Sequence, residues 1–234
     1  MTTRPQKLIE IRDRQVSAIT GHKFFLLFFF LLLYLIVYPY TETRGIAYYA
    51  LRILGIGITL LSVYAVSFRR SLVFIAIALS IPALMQHFRI AQMDASAMSM
   101  ATTVLTLAFD SFIIVAIFRR VFVHKQPTAE TIYGALCIYL LVGFGFASIY
   151  SLLTAIQPHA FYLDPATSLH TTLDRFDMIY YSFGTMTCLG ANGITAVSNQ
   201  ARSLSVIEAI LGVMYLAVLI SRLVGSHPKP TEPG

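Results

Sequence analysis

Residues 177–195 read Asp177-Met-Ile-Tyr-Tyr-Ser-Phe-Gly-Thr-Met-Thr-Cys-Leu-Gly-Ala-Asn-Gly-Ile-Thr. The first part, to Cys188, is apolar enough for a short buried helix, yet too short to cross a bilayer, which takes about 20 residues. The rest holds two glycines and an asparagine, residues that favour irregular backbone. Apolar runs of spanning length flank the segment at 131–153 and 203–222. A half-span helix followed by glycine-rich coil, set between two full spans, is a re-entrant loop pattern. Non-helical backbone survives at membrane depth only when it is buried in protein or lines a water-filled cavity. The segment is therefore expected to line a pathway.

Working outward, four more apolar runs precede this unit, at roughly 24–39, 46–67, 71–88 and 101–118. Hydrophobic residues make up 57% of the chain and charged residues 12%, with a mean hydropathy of +0.72. Soluble domains carry about 25% charged residues, so a soluble globular protein is excluded, and disorder with it. The expected fold is an all-α polytopic membrane protein with six transmembrane helices and a re-entrant helix and loop between the fifth and sixth. Residues 1–23 are a cytoplasmic N-terminal segment, 24–126 a four-helix transmembrane domain, 127–225 the domain with the re-entrant loop, and 226–234 a disordered tail. With the N-terminus inside, 12 of the 17 basic residues fall on the cytoplasmic side, as the positive-inside rule favours. That accounts for the net charge of +6 without a nucleic-acid partner. Membrane lipid is the expected surrounding. Leu8, Ile11, Val16 and Ile19 place a basic amphipathic helix before the first span, or else a solvated extension. The two cysteines, Cys137 and Cys188, give neither a disulfide framework nor a metal spacing.

The stretch from Tyr180 to Ala196 resembles the pore helix and filter of potassium channels. The family pattern is aromatic-aromatic-Ser-x-x-Thr-x-Thr-Thr-Val-Gly-Tyr-Gly-Asp-Ile-Thr-Pro. The run Ala201-Arg-Ser-Leu-Ser-Val-Ile-Glu-Ala-Ile-Leu-Gly-Val-Met-Tyr, continuing to Gly225, resembles the inner helix of bacterial members, and the resemblance covers about 131–225. It implies a tetrameric channel in a bacterial inner membrane, conducting monovalent cations passively. Potassium or sodium ions would be held by backbone carbonyls, with no cofactor and no enzymatic activity. It assigns the selectivity filter to Thr187, Cys188, Leu189, Gly190, Ala191 and Asn192, and pore-helix support to Tyr180, Tyr181 and Thr185. The filter departs from the family: Cys188 replaces Thr, Leu189 Val, Ala191 Tyr, Asn192 the second Gly and Gly193 Asp. Gly184 stands where some members carry Glu. Asparagine tolerates positive φ better than most residues, so Asn192 is expected to keep the family's backbone path. Loss of the Tyr, the Asp and the Glu implies a softer coil, and ion selectivity does not carry over.

Other residues are read from their own chemistry. Asp177 is an outer-mouth acid, or a helix-start carboxylate favoured by the macrodipole; with Asp164 and Asp174 it forms acidic rings in a tetramer, or a solvated loop face. Glu208, an acid inside a span, is a gating or structural candidate by default, expected to pair with Arg202 or with backbone behind the filter. Gly212 is a hinge or a point of tight helix contact. Asp110 is expected to pair with Arg52 or to serve as a polar helix contact, and Pro82 to kink the third span. The fourth span lacks arginines at every third position, so strong voltage sensing is not expected. Two further readings remain open: a non-conducting channel-like sensor or scaffold, and a secondary transporter, which would want inverted repeats. Neither HExxH nor GxSxG is present.

Overall fold

In lipid the backbone finds no hydrogen-bond partner but itself, so each long apolar run closes into a helix. The computed structural model describes residues 23–41, 45–67, 70–88, 97–123, 128–167 and 172–225. Among them are seven α-helices: α1 Lys23–Val37, α2 Ile46–Ala65, α3 Arg70–Phe88, α4 Ala97–Val123, α5 Ala129–Ile156, α6 Arg175–Met186 and α7 Asn199–Gly225. Pro39 falls in a 3-10 turn, Tyr38–Thr41, that ends α1. Five helices (α1, α2, α4, α5 and α7) are long and apolar enough to cross a membrane, while the apolar stretch of α3 is shorter, Leu72–Met85. The protein is an all-α polytopic membrane protein. Helix α3 runs through Pro82. The expected amphipathic helix and the C-terminal tail, 1–22 and 226–234, lie outside the described residues.

Hydroxyl side chains within the spans turn back on their own helices. Thr59 donates to the Gly55 carbonyl, Thr106 to Thr102, Ser148 to Phe144 and Thr154 to Tyr150. Each polar group is thereby satisfied without water.

Helix α5 is the hub, packing against α1, α4, α6 and α7. One buried cluster, with Leu27, Leu31, Ile113, Ile117 and Ile138, joins α1, α4 and α5. The other is aromatic and joins Tyr34 and Tyr38 to Tyr150, Phe161 and Tyr181. Its centre is a set of edge-to-face pairs among Tyr150, Phe161 and Tyr181, with centroids 5.0–5.4 Å apart. Such pairs contribute about 0.5–1.5 kcal/mol each beyond area burial. Phe161 lies on β1, Phe161–Leu163, which pairs antiparallel with β2, Ile194–Ala196, in the register Phe161↔Ala196 and Leu163↔Ile194. This short ladder fastens the α5–α6 connection to the segment that enters α7.

At the opposite end Arg120 on α4 pairs with Glu130 on α5 at 3.9 Å, and Arg222 on α7 lies over the Phe122 ring at 4.7 Å. Lys23 sits 4.0 Å above the Tyr64 ring and donates to Ser67 Oγ.

Candidate functional site

Helix α6 begins at a reciprocal capping box. Asp174 accepts from the Asp177 N–H at 2.8 Å, and Asp177 accepts from the Asp174 N–H at 2.8 Å. Each carboxylate satisfies a donor that the first turn leaves open and meets the positive end of the helix dipole. Asp177 is buried. Of the two expectations for Asp177, these bonds support the helix-start carboxylate. Asp164 is also engaged, accepting from the Ala166 N–H in a turn.

Glu208 is fully buried on α7 and ties three helices together. Tyr150 of α5 donates its hydroxyl to Oε2 at 2.6 Å, and Ser182 of α6 donates to Oε1. The Ser182 hydroxyl also reaches the Gly143 carbonyl of α5 at 2.8 Å. The expected partner, Arg202, instead donates Nε to the Ala196 carbonyl at 3.2 Å. A carboxylate inside a span needs donors without an exposed charge beside it, and two buried hydroxyls supply them. Nearby, Tyr181 and Ser205 share a 2.8 Å hydrogen bond between α6 and α7.

Helix α6 ends within this grip. Its last carbonyls are taken by Thr187 N–H to Phe183, Cys188 N–H to Thr185 and Gly190 N–H to Gly184, at 3.0–3.1 Å. The turn runs through positive φ at Cys188 (59°), Gly190 (81°) and Gly193 (87°). Asn192 is absent from this set, which corrects its expected role. A left-handed residue at Cys188 closes the helix as a C-terminal cap does, and the glycines take the later positive angles. Beyond it the loop folds back on the helix. A Cβ placed on Gly184 would lie 2.7 Å from the Gly190 carbonyl oxygen, so only glycine lets the loop settle there. Asn192 N–H donates to the Tyr180 hydroxyl at 3.0 Å, and Asp164 N–H to the Gly193 carbonyl at 2.8 Å. The loop is thus held by a backbone bond from Gly190 to Gly184 and by the Tyr180 side-chain hydroxyl at Asn192. Thr187, Cys188, Leu189, Gly190 and Asn192 are exposed.

Residues 135–225 match the family model described as ion channel. This segment is therefore similar to a pore-loop ion-channel domain. No significant match appears among curated proteins or solved structures.

By this similarity α6 corresponds to a pore helix and α7 to an inner helix. Tyr180 and Tyr181 both brace the pore helix by their hydroxyls, and Thr185 contributes its carbonyl. The Thr187 hydroxyl donates to the Phe183 carbonyl at 2.6 Å, turned toward its own helix. Gly212 is a close-contact glycine: a Cβ there would collide with the Met186 carbonyl oxygen, so the inner helix rests on the end of the pore helix. Sequence reasoning missed Tyr150 and the β1–β2 ladder. Tyr150 had one signal: an acid inside a neighbouring span that needed a donor.

Proposed function

We propose that the chain assembles as a homotetrameric channel that conducts monovalent cations passively. Each copy supplies six spans, a pore helix and one filter loop. The start of α1 and the end of α7 face the cytoplasm of a bacterial inner membrane, as the clustering of Lys23, Arg120 and Arg222 at one end favours. The observation that carries the reading is the placement of the 187–192 loop. It is exposed, it follows a half-span helix held by Glu208 between α5 and α7, and it falls within the matched segment. Backbone of this kind at membrane depth belongs beside water. The filter then presents carbonyls to potassium or sodium ions, with the Cys188 thiol where the family has a hydroxyl.

The test is ion flux in liposomes containing the purified chain, with potassium and sodium compared. Passive flux of either ion is expected, and Gly190→Ala, which forces a side chain onto φ of 81°, is expected to abolish it. An intact assembly without flux would favour the non-conducting sensor or scaffold. Saturating, coupled flux would favour a transporter.

A further inference from the structure

A second polar site lies away from the pore loop. A cavity of about 80 Å³ opens between the first four helices and the pore domain. Its walls include Tyr34 of α1, Thr59 and Ser62 of α2, and Ser148 of α5, among mostly apolar neighbours. Two charged side chains open into it: Asp110, near the middle of α4, and Arg175, the first residue of the pore helix. Among the described residues the ion pair within 4.0 Å is Arg120–Glu130, so Asp110 and Arg175 face the same space without closing on each other.

Both placements are unfavourable alone. A carboxylate at mid-span costs several kcal/mol unless compensated. A cation in the first turn of a helix opposes the positive end of the dipole. A shared cavity answers both costs, since the guanidinium offers five donors and the carboxylate only acceptors. Thr106 and Ser148 spend their hydrogens on backbone carbonyls, which leaves oxygen lone pairs for further donors. A water needs about 15 Å³ of such space and two to four polar partners, so the cavity has room for several.

We infer that this cavity is a hydrated charge-coupling site, in which Asp110 and Arg175 pair through bridging water and α4 thereby fixes the position of the pore helix. It gives the first four helices a role: they hold the outer end of the pore helix. Packing around the site agrees, since Tyr38 of the turn after α1 stacks on Phe176, the next pore-helix residue, at 5.4 Å. That the coupling reaches conduction rests on the channel reading above; the charge pairing does not.

A double-mutant cycle on the full chain tests it. Asp110→Asn and Arg175→Gln are each expected to lower the melting midpoint in detergent by about 5 °C. The double variant is expected to lose no more than either single one, and Arg175→Lys to retain most of the midpoint. Additive losses, or singles that melt like the parent chain, would overturn the pairing. If a single variant does not fold while the double variant does, the pairing is supported, because an uncompensated charge is then the fault. If neither folds, Arg175→Lys against Ser148→Val decides: filling the cavity must destabilise the protein while the charge-keeping change does not, and the reverse order overturns the proposal. Potassium flux from the same preparations is expected to fall in both single variants. Loss of flux in every variant and in the parent chain, with the melting cycle intact, would sink the channel reading and leave the coupling site standing.

Discussion

Cys137 and Cys188 share a side chain and differ in everything around it. Cys137 is buried on α5, its thiol directed at the Phe24 carbonyl at 3.3 Å, whereas Cys188 is exposed in the pore loop. Reactivity follows access and thiolate character, so a small charged thiol reagent is expected to modify Cys188 and leave Cys137 untouched in the folded protein. Mass spectrometry after brief labelling reads this directly. Equal labelling of both would mean that the loop is packed away. The control is Cys188→Ser, since a β-branched threonine fits poorly at φ of 59°. Glu208 carries a different prediction. Glu208→Ala strands the Tyr150 and Ser182 hydroxyls, and a loss of about 3 kcal/mol is expected from buried polar groups left unpaired. Tyr150→Phe removes one hydrogen bond and is expected to cost about 1–2 kcal/mol. Denaturation midpoints in detergent measure both, and a larger loss from Tyr150→Phe than from Glu208→Ala would contradict the three-helix tie.

Between helices, glycines mark where backbones touch and where they do not. Gly212 meets the Met186 carbonyl and Gly184 meets the Gly190 carbonyl, but a Cβ at Gly145 on α5 would have nothing within 4 Å. Gly212→Ala and Gly184→Ala are thus expected to destabilise by about 1–3 kcal/mol through overpacking against backbone that cannot give way. Gly145→Ala is expected to be neutral or to gain about 0.5–1 kcal/mol from helix propensity. Thermal melts of the three variants check the order. This contrast also shows where sequence reading stops. Apolar run length revealed the helices, because lipid allows the backbone no other solution. The 12 residues of α6 were legible from a run too short to span. Contact glycines and spare glycines look alike in a sequence. The strands Phe161–Leu163 and Ile194–Ala196 are three residues each, too short for alternation to register. The partners of Glu208 come from α5 and α6, and no local spacing connects them. The loop turned on Cys188, whose left-handed backbone nothing in its side chain announces.

At the scale of the whole molecule, the inner helix is the element the single chain leaves most incomplete. Only 11% of its span is buried, against 44% for α5. Val206, Ile210, Val213, Met214 and Ile220 lie open, and Leu189 at the loop tip is 86% exposed. Lipid can cover the apolar side chains of α7, but it cannot satisfy the irregular backbone from Thr187 to Asn192. That backbone needs water or protein, and water at that depth needs walls. One chain provides one pore helix and one inner helix, which cannot enclose a pathway. In the proposed assembly, closed rotational symmetry would complete the wall from copies of the same surface. The expected particle in mild detergent is four times the 26.0 kDa chain, with the 187–192 loops gathered at a fourfold axis. Leu189→Cys in a Cys188→Ser background places one thiol near that axis in each copy. Mild oxidation is then expected to yield covalent dimers drawn from a tetrameric peak, whereas a cysteine at Tyr49, an exposed residue of α2 far along the chain from the loop, should stay uncrosslinked. A monomeric peak, or crosslinking at Tyr49→Cys with none at Leu189→Cys, would move the loop off the axis and remove the reason for its exposed backbone.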